Sequence, residues 1–314
     1  MTAGRTQALT ASLGTRTSLL ERRARVIGAV RSFFTATGFL EVETPILCRA
    51  PLPERHIDAI PSGSLYLATS PEPYMKRLLA ADFPRIFQVS KCFRNAEAGR
   101  QHNPEFSMLE WYRAHADTGA LVADAQAVLV AACRAVHGTA AFSYQGRALA
   151  MDTPWEMLSV DDAFARHAGV TLDACPDQEL FDTTLVELVE PRLGLDAPTV
   201  LHSYPACLSP MARPLPGRPD RADRFEIYIA GVELANGCAE LVDRGALEAN
   251  IEAERQARRA AGKDPYPVPA DFLEALDTLP PCAGTALGID RLVMLLCDAA
   301  RIEDVIAFRE GERH

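Results

Sequence analysis

The sequence predicts an α+β fold in which a mainly antiparallel sheet is flanked by helices. Three observations predict it. Amphipathic helical segments alternate with short strand-like segments, the strands show no regular β-α-β order, and no internal repeat or low-complexity linker divides the 314 residues. A content of 48% apolar and 24% charged residues is that of a globular chain. We therefore expect one domain over residues 1–314, with residues 1–17 as an N-terminal extension.

The first strong element is a helix in the segment TSLLERRARVIGAVRSFFTATGF. Ser18 and Glu21 have the S-x-x-E spacing of a capping box, apolar residues follow at helical intervals, and Gly38 predicts the end of the helix. In FLEVETP, which comes next, Leu40 and Val42 alternate with glutamates. This period of two predicts a half-exposed strand that the following proline ends.

The middle of the chain alternates between strands and helices. The segment PYMKRLLAADF is helix-like, and Phe93–Phe106, with the sequence FRNAEAGRQHNPEF, lies between two strand-like segments and is predicted to be a loop. Residues 118–137 have the pattern of an amphipathic helix. Residues 150–200 form a looser region of helical patches and prolines, and the sequence assigns no role to it.

The C-terminal third begins with RFEIYIAGVELANGCAEL, which runs apolar from Phe225 to Val232 and predicts one central strand. The helical segment RGALEANIEAERQARRAAGK follows, with Glu254 and Arg258 at the spacing of an i,i+4 ion pair. The last segment, GTALGIDRLVMLLCDA, predicts a glycine-rich turn that opens an apolar helix.

The net charge of −10 predicts no general attraction to nucleic acid or to an anionic membrane. Residues 1–35 hold six arginines against one glutamate, which indicates either a solvated basic face or a contact with an acidic partner. Eight cysteines, never closer than fifteen residues, predict neither a zinc site nor a disulfide scaffold. Charges interrupt the most apolar run, ALVADAQAVLVAACRAV, so we expect no membrane span and a cytoplasmic protein.

The loop after Phe93 combines residues that suit a nucleotide triphosphate. Arg94 offers a planar fork for a phosphate, His102 and Asn103 can contact further phosphate oxygens, and Phe106 offers a face for a purine. The same residue types also form ordinary solvated hairpins. The loop alone therefore leaves both interpretations open.

Two more segments fit a triphosphate site. Gly284 and Gly288 permit close backbone approach ahead of Arg291, although glycines before a helix also occur as simple turns. Glu233 and Glu240 offer two hard oxygen ligands that suit Mg²⁺, provided that the residues between them turn back or stay extended. Two acids at a strand end are the ordinary alternative.

The segment TSPEPYMKRLL places Glu72 after Ser70 and Pro71 at a strand-to-helix junction. An acid at that position either stabilises the start of the helix through the helix dipole or grips the ammonium group of a substrate. Nothing local decides between the two.

The order of these motifs resembles the catalytic domain of class II aminoacyl-tRNA synthetases. GFLEVETP resembles motif 1, FRNAEAGRQHNPEF resembles motif 2 and GTALGIDRL resembles motif 3. SPEPYMKRLL, HNPEFSMLEWY and ELANGCAEL are most similar to the lysyl branch, and the resemblance runs from about Leu20 to about Phe308. It implies a ligase that uses ATP and Mg²⁺, acts as a homodimer, and forms an aminoacyl-adenylate.

The resemblance also implies roles for residues. Arg94 and Arg291 are the catalytic arginines, acting on the α- and γ-phosphates, and Phe106 and Arg291 sandwich the adenine. The implied ATP site comprises Arg94, Asn95, Ala96, Glu97, His102, Asn103, Phe106, Glu233, Leu234, Gly288 and Arg291; the implied amino-acid site comprises Ser70, Pro71, Glu72, Tyr112, Glu240 and Ala286; and Glu233 and Glu240 are the implied metal ligands.

Fewer than twenty residues precede the motif-1 helix, too few for an OB-fold anticodon-binding domain, so a bare catalytic domain is expected. It resembles the ligases that attach (R)-β-lysine to a lysine side chain of elongation factor P, and the form ELANG and the alanine at position 286 agree. YPACLSPMAR is instead more similar to the synthetases. The alternatives are a tRNA-charging enzyme without an anticodon-binding domain and a catalytically silent binding paralogue. Lysine and β-lysine both remain possible substrates.

Ala96 departs from the family pattern. Motif 2 of the family reads F-R-N-E, and its glutamate accepts a hydrogen bond from the adenine amino group. Here alanine occupies that position and an acid follows as Glu97. Either Glu97 replaces the missing carboxylate, or a backbone carbonyl reads the adenine and the selectivity for ATP over GTP is relaxed.

Overall fold

The computed structural model describes residues 14, 16–173, 176–309 and 312, and the extension predicted for residues 1–17 lies mostly outside them. The helices of the described part are α1 Thr17–Ala36, α2 Glu72–Ala80, α3 Thr118–His137, α4 Val160–His167, α5 Gln178–Thr184, α6 Arg244–Ala260, α7 Ala270–Ala275 and α8 Ile289–Leu296. A π-helical turn, Leu185–Val189, continues α5, and short 3₁₀ turns cover Glu190–Arg192, Ala206–Leu208 and Ile302–Val305.

The strands are β1 Leu40–Glu41, β2 Leu47–Cys48, β3 Pro61–Ser62, β4 Leu65–Leu67, β5 Arg85–Phe93, β6 Glu105–Ala114, β7 Ala141–Tyr144, β8 Arg147–Ala150, β9 Glu156–Ser159, β10 Thr199–His202, β11 Pro214–Leu215, β12 Arg218–Ala222, β13 Arg224–Ile229, β14 Val232–Ala239 and β15 Cys282–Gly288. Eight of them form one sheet in the order β1-β5-β6-β15-β14-β13-β10-β9. Only its two edge pairs, β1 with β5 and β9 with β10, are parallel. The predicted α+β fold with a mainly antiparallel sheet is confirmed.

One face of this sheet packs on helices α1, α3 and α8. Alternation along the strands decides which side chains take part, because successive residues of a strand point to opposite faces. Leu109 and Trp111 of β6 and Ile227 of β13 join the core with Val30 of α1 and Leu129 of α3. The opposite face of the sheet is free to carry polar groups.

Helix α3 is long and apolar enough to cross a membrane by length and composition alone. Its buried side includes Leu121 and Leu129, which belong to the main core. Asp124 on this helix forms an ion pair with Arg113 at 2.6 Å. The helix thus serves as a core helix of the sheet layer in this structure.

The first helix differs from the prediction at its N-terminal end and agrees with it at its C-terminal end. Gly38 has a φ of +81° just after the helix, so the predicted stop is confirmed. The predicted capping box is wrong, because α1 already begins at Thr17, which places Ser18 inside the helix, and its N-cap, Arg16, makes no side-chain cap hydrogen bond. The strand after it is shorter than the alternation predicts, and Leu40 is 51% exposed.

The segment predicted as one strand from Phe225 to Val232 is a β-hairpin. Ile229 pairs with Val232, and the two residues between them, Ala230 and Gly231, have φ values of +53° and +73°. Type I′ turns require positive φ at both central residues. Tight strand pairing therefore overrides the continuous apolar pattern.

Two predictions in the C-terminal third are also corrected. The segment predicted as a glycine-rich turn is strand β15, inserted between β6 and β14. Helix α6 is confirmed, but its Glu254 and Arg258 do not pair with each other. They contact Arg55 at 2.5 Å and Asp58 at 2.8 Å, since a neighbouring loop supplies better-placed partners.

Candidate active site

A cavity of about 570 Å³ lies over the polar face of the central strands. Successive side chains of a strand point to opposite faces of the sheet, so only one set of each strand faces the cavity. These residues are Phe106, Glu110 and Tyr112 of β6 and Arg224 and Glu226 of β13. Helix α2, helix α5 and the loop between β5 and β6 enclose the remaining sides. The polar groups of distant segments thus meet in one place.

A β-bulge in β14 brings Glu233 and Glu240 to the same cavity. Residues seven apart on a regular strand point to opposite faces. Here Ile227 pairs with Ala235 and Tyr228 pairs with Glu233, so Leu234 is an extra residue that shifts the alternation. Both carboxylates therefore line the cavity, through a bulge and not through a turn or a regular extension.

One end of the cavity is rich in cationic and donor groups. The Arg291 guanidinium donates to the Glu233 carboxylate at 3.0 Å and to the ring nitrogen Nε2 of His102 at 2.7 Å. Partial burial and the Arg291 charge lower the pKa of His102, so the ring stays neutral and accepts this bond. Burial opposes ionisation of Glu233, but Arg291 outweighs it and lowers the pKa of this carboxyl below its ordinary value.

Arg94 lies at the same end, with its guanidinium over the Phe106 ring at 5.1 Å. Its Nε is buried and finds no hydrogen-bond partner within the described part of the chain. A buried donor without a partner costs free energy, so the Arg94 guanidinium is not fully satisfied by its protein neighbours. The arginine fork and the aromatic face together suit a nucleotide phosphate and a purine.

The other end is acidic and encloses a single lysine. Lys76 Nζ lies 2.5 Å from Glu72 and 2.6 Å from Glu240. Burial lowers the affinity of this amine for its proton, but the two acids outweigh that effect and raise the pKa of Lys76. Burial raises the pKa of Glu240 to about 7. Lys76 is thus a permanent cation that holds both carboxylates.

Glu110 completes this end. It is 2% exposed and accepts hydrogen bonds from Ser70 Oγ at 2.7 Å and Tyr112 Oη at 2.9 Å. Burial and the nearby Glu72 charge raise its pKa to about 8. Three acids with only one lysine among them leave this end short of positive charge. The arrangement favours an ammonium ligand.

Two small residues of β15 keep this end open. Ala286 lies directly across from Glu110, and Gly284 lies across from Tyr112. A Cβ on Gly284 would lie 2.1 Å from the Tyr112 ring and 2.9 Å from Glu240. Gly284 thus serves close side-chain packing, whereas the sequence predicted an approach to phosphate.

Fourteen of the residues predicted for the site line the cavity: Ser70, Glu72, Arg94, Glu97, His102, Asn103, Phe106, Tyr112, Glu233, Leu234, Glu240, Ala286, Gly288 and Arg291. Pro71 is the N-cap of α2, where it is buried. Asn95, whose backbone N–H donates to the Asp58 carbonyl at 2.6 Å, and Ala96, with a φ of +60°, do not line the cavity. The loop turns at these two residues before Glu97 returns to the cavity.

The sequence reasoning missed Lys76, Glu110, Arg224 and Glu226, all at the cavity or directly behind it. A signal was present for Glu110 and Glu226, because each is a lone acid inside an otherwise apolar strand segment. Glu226 accepts from Tyr204 Oη and Tyr228 Oη, both at 2.6 Å. Its carboxylate is therefore fully engaged in the cavity wall.

A preformed metal cage is absent from the described residues, in which no group of three or more His, Cys, Asp or Glu side chains could hold an ion. Glu240 is held by Lys76, whereas Glu233 faces the cavity beside Arg291. Mg²⁺ in phosphate sites commonly uses one or two carboxylates and takes its other ligands from the substrate. The residues fit a magnesium ion carried by a nucleotide better at Glu233 than at Glu240.

The cavity wall also contains Cys207, which is disulfide-bonded. The cysteine spacing did not predict this bond, because pairing depends on tertiary proximity. Six other cysteines of the described chain are free.

Comparison with known proteins matches residues 5–311 to a family model described as tRNA synthetases class II (D, K and N). A protein of Proteus mirabilis (strain HI4320) named elongation factor P–(R)-β-lysine ligase is 40% identical over 309 residues, which cover 92% of this chain and 94% of that protein. A protein of the same name from Klebsiella pneumoniae is also 40% identical over 92% and 94% of the two chains. A lysine–tRNA ligase of Chloroflexus aurantiacus is 35% identical over 93% of this chain but 65% of its own length.

Proposed function

The chain belongs to the class II tRNA synthetase family (D, K and N) and is a ligase, and from this premise we propose that it activates (R)-β-lysine or lysine with ATP and transfers it to a lysine side chain of elongation factor P. The observation that carries the proposal is one cavity with an arginine-lined end and an acid-lined end. The first suits a nucleotide triphosphate and the second suits an amino acid with two amino groups.

In the first step the substrate carboxylate attacks the α-phosphorus of ATP, which forms an aminoacyl-adenylate and releases pyrophosphate. Arg94 contacts the α-phosphate, Arg291 contacts the γ-phosphate, and the purine stacks on Phe106. His102 and Asn103 steady the triphosphate, and the backbone at Leu234 and Gly288 leaves room for the nucleotide. Positioning and charge stabilisation supply the catalysis.

The acid end holds the amino groups of the substrate. Glu72, Glu110 and Glu240 supply the charge, Tyr112 and Ser70 orient Glu110, and the small Ala286 leaves space across from it. Binding of an ammonium favours the ionised form of Glu110, whose pKa is about 8 without a ligand. This offsets the cost of burying the substrate charge.

Glu233 would hold Mg²⁺ together with phosphate oxygens, while Glu240 stays in the ammonium site with Lys76. The ion supplies neutralisation of charge on the phosphates. We also propose that the protein is a homodimer. In support, Leu40, Ile46 and Leu47 are exposed apolar residues next to the first edge of the sheet.

The function is tested by amino-acid-dependent ATP–pyrophosphate exchange, followed by transfer of labelled lysine or (R)-β-lysine. We expect the wild type to exchange and to label elongation factor P rather than tRNA. Arg94→Ala and Arg291→Ala are each expected to lower exchange by about 10²–10³-fold, because each removes a preorganised charge.

Labelling of tRNA instead of elongation factor P would support the tRNA-charging alternative. No adenylate formation by the wild type would support a silent binding paralogue. Near-normal exchange by both arginine variants would contradict the site assignment. Glu248→Gln, a charge change at an exposed acid of α6 that does not line the cavity, is the control.

A further inference from the structure

Glu54 differs from every other acid that lines the cavity. Each of the others has a partner within 3.8 Å: Glu72, Glu97, Glu110, Asp182, Glu190, Glu226, Glu233, Glu240, Glu254 and Asp290. The Glu54 carboxylate has neither a hydrogen bond nor an ion pair within residues 16–173 and 176–309, although it faces the same cavity. A free carboxylate in a wall of engaged ones is available to a ligand.

Hydrogen bonds from other segments hold the backbone around Glu54 in place, although this segment forms neither helix nor strand. Arg258, 1% exposed on α6, donates to the Glu54 carbonyl at 2.6 Å and to the Ile57 carbonyl at 2.8 Å. Arg55 forms a two-pronged ion pair with Glu254, at 2.5 and 3.0 Å. These contacts fix the backbone position of Glu54 at the cavity and leave its carboxylate available to a ligand.

The Glu54 segment lies beside the start of the β5–β6 loop, because the Asp58 carbonyl accepts from the Asn95 N–H at 2.6 Å and Glu54 and Arg94 line the same cavity. The charges that act on its carboxylate are Arg94 of the β5–β6 loop, Glu72 of α2, Glu254 of α6 and Arg224 of β13. Arg94 is the residue proposed to contact the α-phosphate. The carbonyl carbon of an aminoacyl-adenylate is bonded to that phosphate through one oxygen, so it belongs in this neighbourhood.

We propose that Glu54 is the general base that deprotonates the acceptor amine in the transfer step. The inference rests on the proposed function and adds a residue to its second half. The acceptor lysine arrives as an ammonium and gives one proton to the Glu54 carboxylate. The freed amine attacks the carbonyl carbon of the adenylate, the new C–N bond forms and the C–O bond to AMP breaks. The nitrogen then loses its second proton to the leaving phosphate or to water.

The acidity of Glu54 agrees with this role. Burial, together with Glu72 and Glu254, raises its pKa to about 7 against the opposing Arg94 and Arg224 charges. A base is most effective when its pKa lies near the working pH. Below a pH of about 7 the carboxylate is protonated and cannot accept a proton, so transfer should slow as the pH falls through this value.

The test measures adenylate formation and amino-acid transfer separately in the variant Glu54→Gln. Pyrophosphate exchange should match the wild type. Single-turnover transfer from the preformed adenylate to elongation factor P should fall by about 10²–10⁴-fold, the usual contribution of a general base. Hydroxylamine, a nucleophile that is largely unprotonated at neutral pH, needs no base. The variant should therefore form hydroxamate at the wild-type rate.

Glu54→Asp keeps the carboxylate, so it should transfer slowly but retain an inflection in the pH–rate profile. Glu54→Gln should lose the inflection near pH 7 and keep only the steady rise that deprotonation of the acceptor amine itself produces. Glu248→Gln, the same replacement at an exposed acid of α6 that does not line the cavity, is the matched control and should leave both half-reactions unchanged. Wild-type transfer by Glu54→Gln, or an equal loss of exchange, would overturn the inference. A wild type without exchange would instead refute the proposed function, so the two failures are distinguishable.

Discussion

At the scale of single residues, we propose that Ala96 and Glu97 determine how the purine is recognised. Ala96 adopts a φ of +60°, a conformation that costs a residue with a Cβ about 1–2 kcal/mol. Glu97 follows, lines the cavity and lies 3.7 Å from the Arg94 guanidinium. We propose that Glu97 takes over the contact with the adenine amino group, because Glu97 lines the cavity and Ala96 does not.

Glu97→Gln is therefore expected to lower the preference for ATP over GTP by about ten- to hundredfold, since a hydrogen bond to a charged group contributes about 1.5–3 kcal/mol. GTP presents a carbonyl where ATP presents an amino group, so the substitution should lower kcat/KM for ATP and not for GTP. The measurement is kcat/KM for pyrophosphate exchange with each nucleotide.

Ala96→Glu, an equally small change one residue away, serves as the comparison and should alter the nucleotide preference much less. An unchanged ratio in Glu97→Gln would show that backbone groups, and not this carboxylate, select the purine.

At the scale of elements, strands β6, β14 and β15 act as one unit that shapes the acid end. The bulge at Leu234 turns Glu233, Cys238 and Glu240 to the cavity side. Strand β15 can lie between the other two only because Gly284 has no side chain against the Tyr112 ring.

Gly284→Ala should displace Tyr112 and weaken its hydrogen bond to Glu110. We expect a higher KM for the amino acid and a free energy of unfolding lower by about 1–3 kcal/mol, the usual cost of overpacking. Kinetics of exchange and thermal or urea unfolding measure the two effects.

Gly28→Ala is the matched control, because a Cβ there meets nothing within 4 Å and the site is inside α1. It should raise the free energy of unfolding by about 0.5–1 kcal/mol and leave KM unchanged. A wild-type KM in Gly284→Ala would mean that Tyr112 does not contribute to amino-acid binding.

At the scale of the whole molecule, the two edges of the sheet present comparable apolar side chains. Leu40 on β1 is 51% exposed and Met157 on β9 is 58% exposed. Leu40 is followed within seven residues of the chain by two further exposed apolar side chains, Ile46 and Leu47. Several exposed apolar side chains in one region favour an interface more than one such residue does.

We therefore expect Leu40→Glu to shift the protein from dimer toward monomer in sedimentation velocity, because it places a charge in the proposed interface. Met157→Glu makes the same change at the opposite edge and should leave the dimer intact. A monomeric wild type, or equal dissociation by both variants, would contradict the dimer proposal.

Local patterns predicted a large part of this molecule. The ends of α3, the stop at Gly38 and the loop after Phe93 follow from periodicity and from turn residues within a few positions. Motif order also brought out side chains that the structure gathers at one cavity, although their roles at a nucleotide and an amino-acid site stay predictions. The sequence by itself thus determined the fold class, the family resemblance and fourteen of the residues that line the cavity.

The tertiary structure alone decided the rest. The hairpin at Ala230 and the bulge at Leu234 depend on which strand pairs with which residue, and no local pattern records that register. The buried Lys76 between two acids and the free carboxylate of Glu54 depend on segments far apart in sequence. Chemical type is a property of the residue, but pKa, orientation and availability are set by the neighbours that folding brings to it.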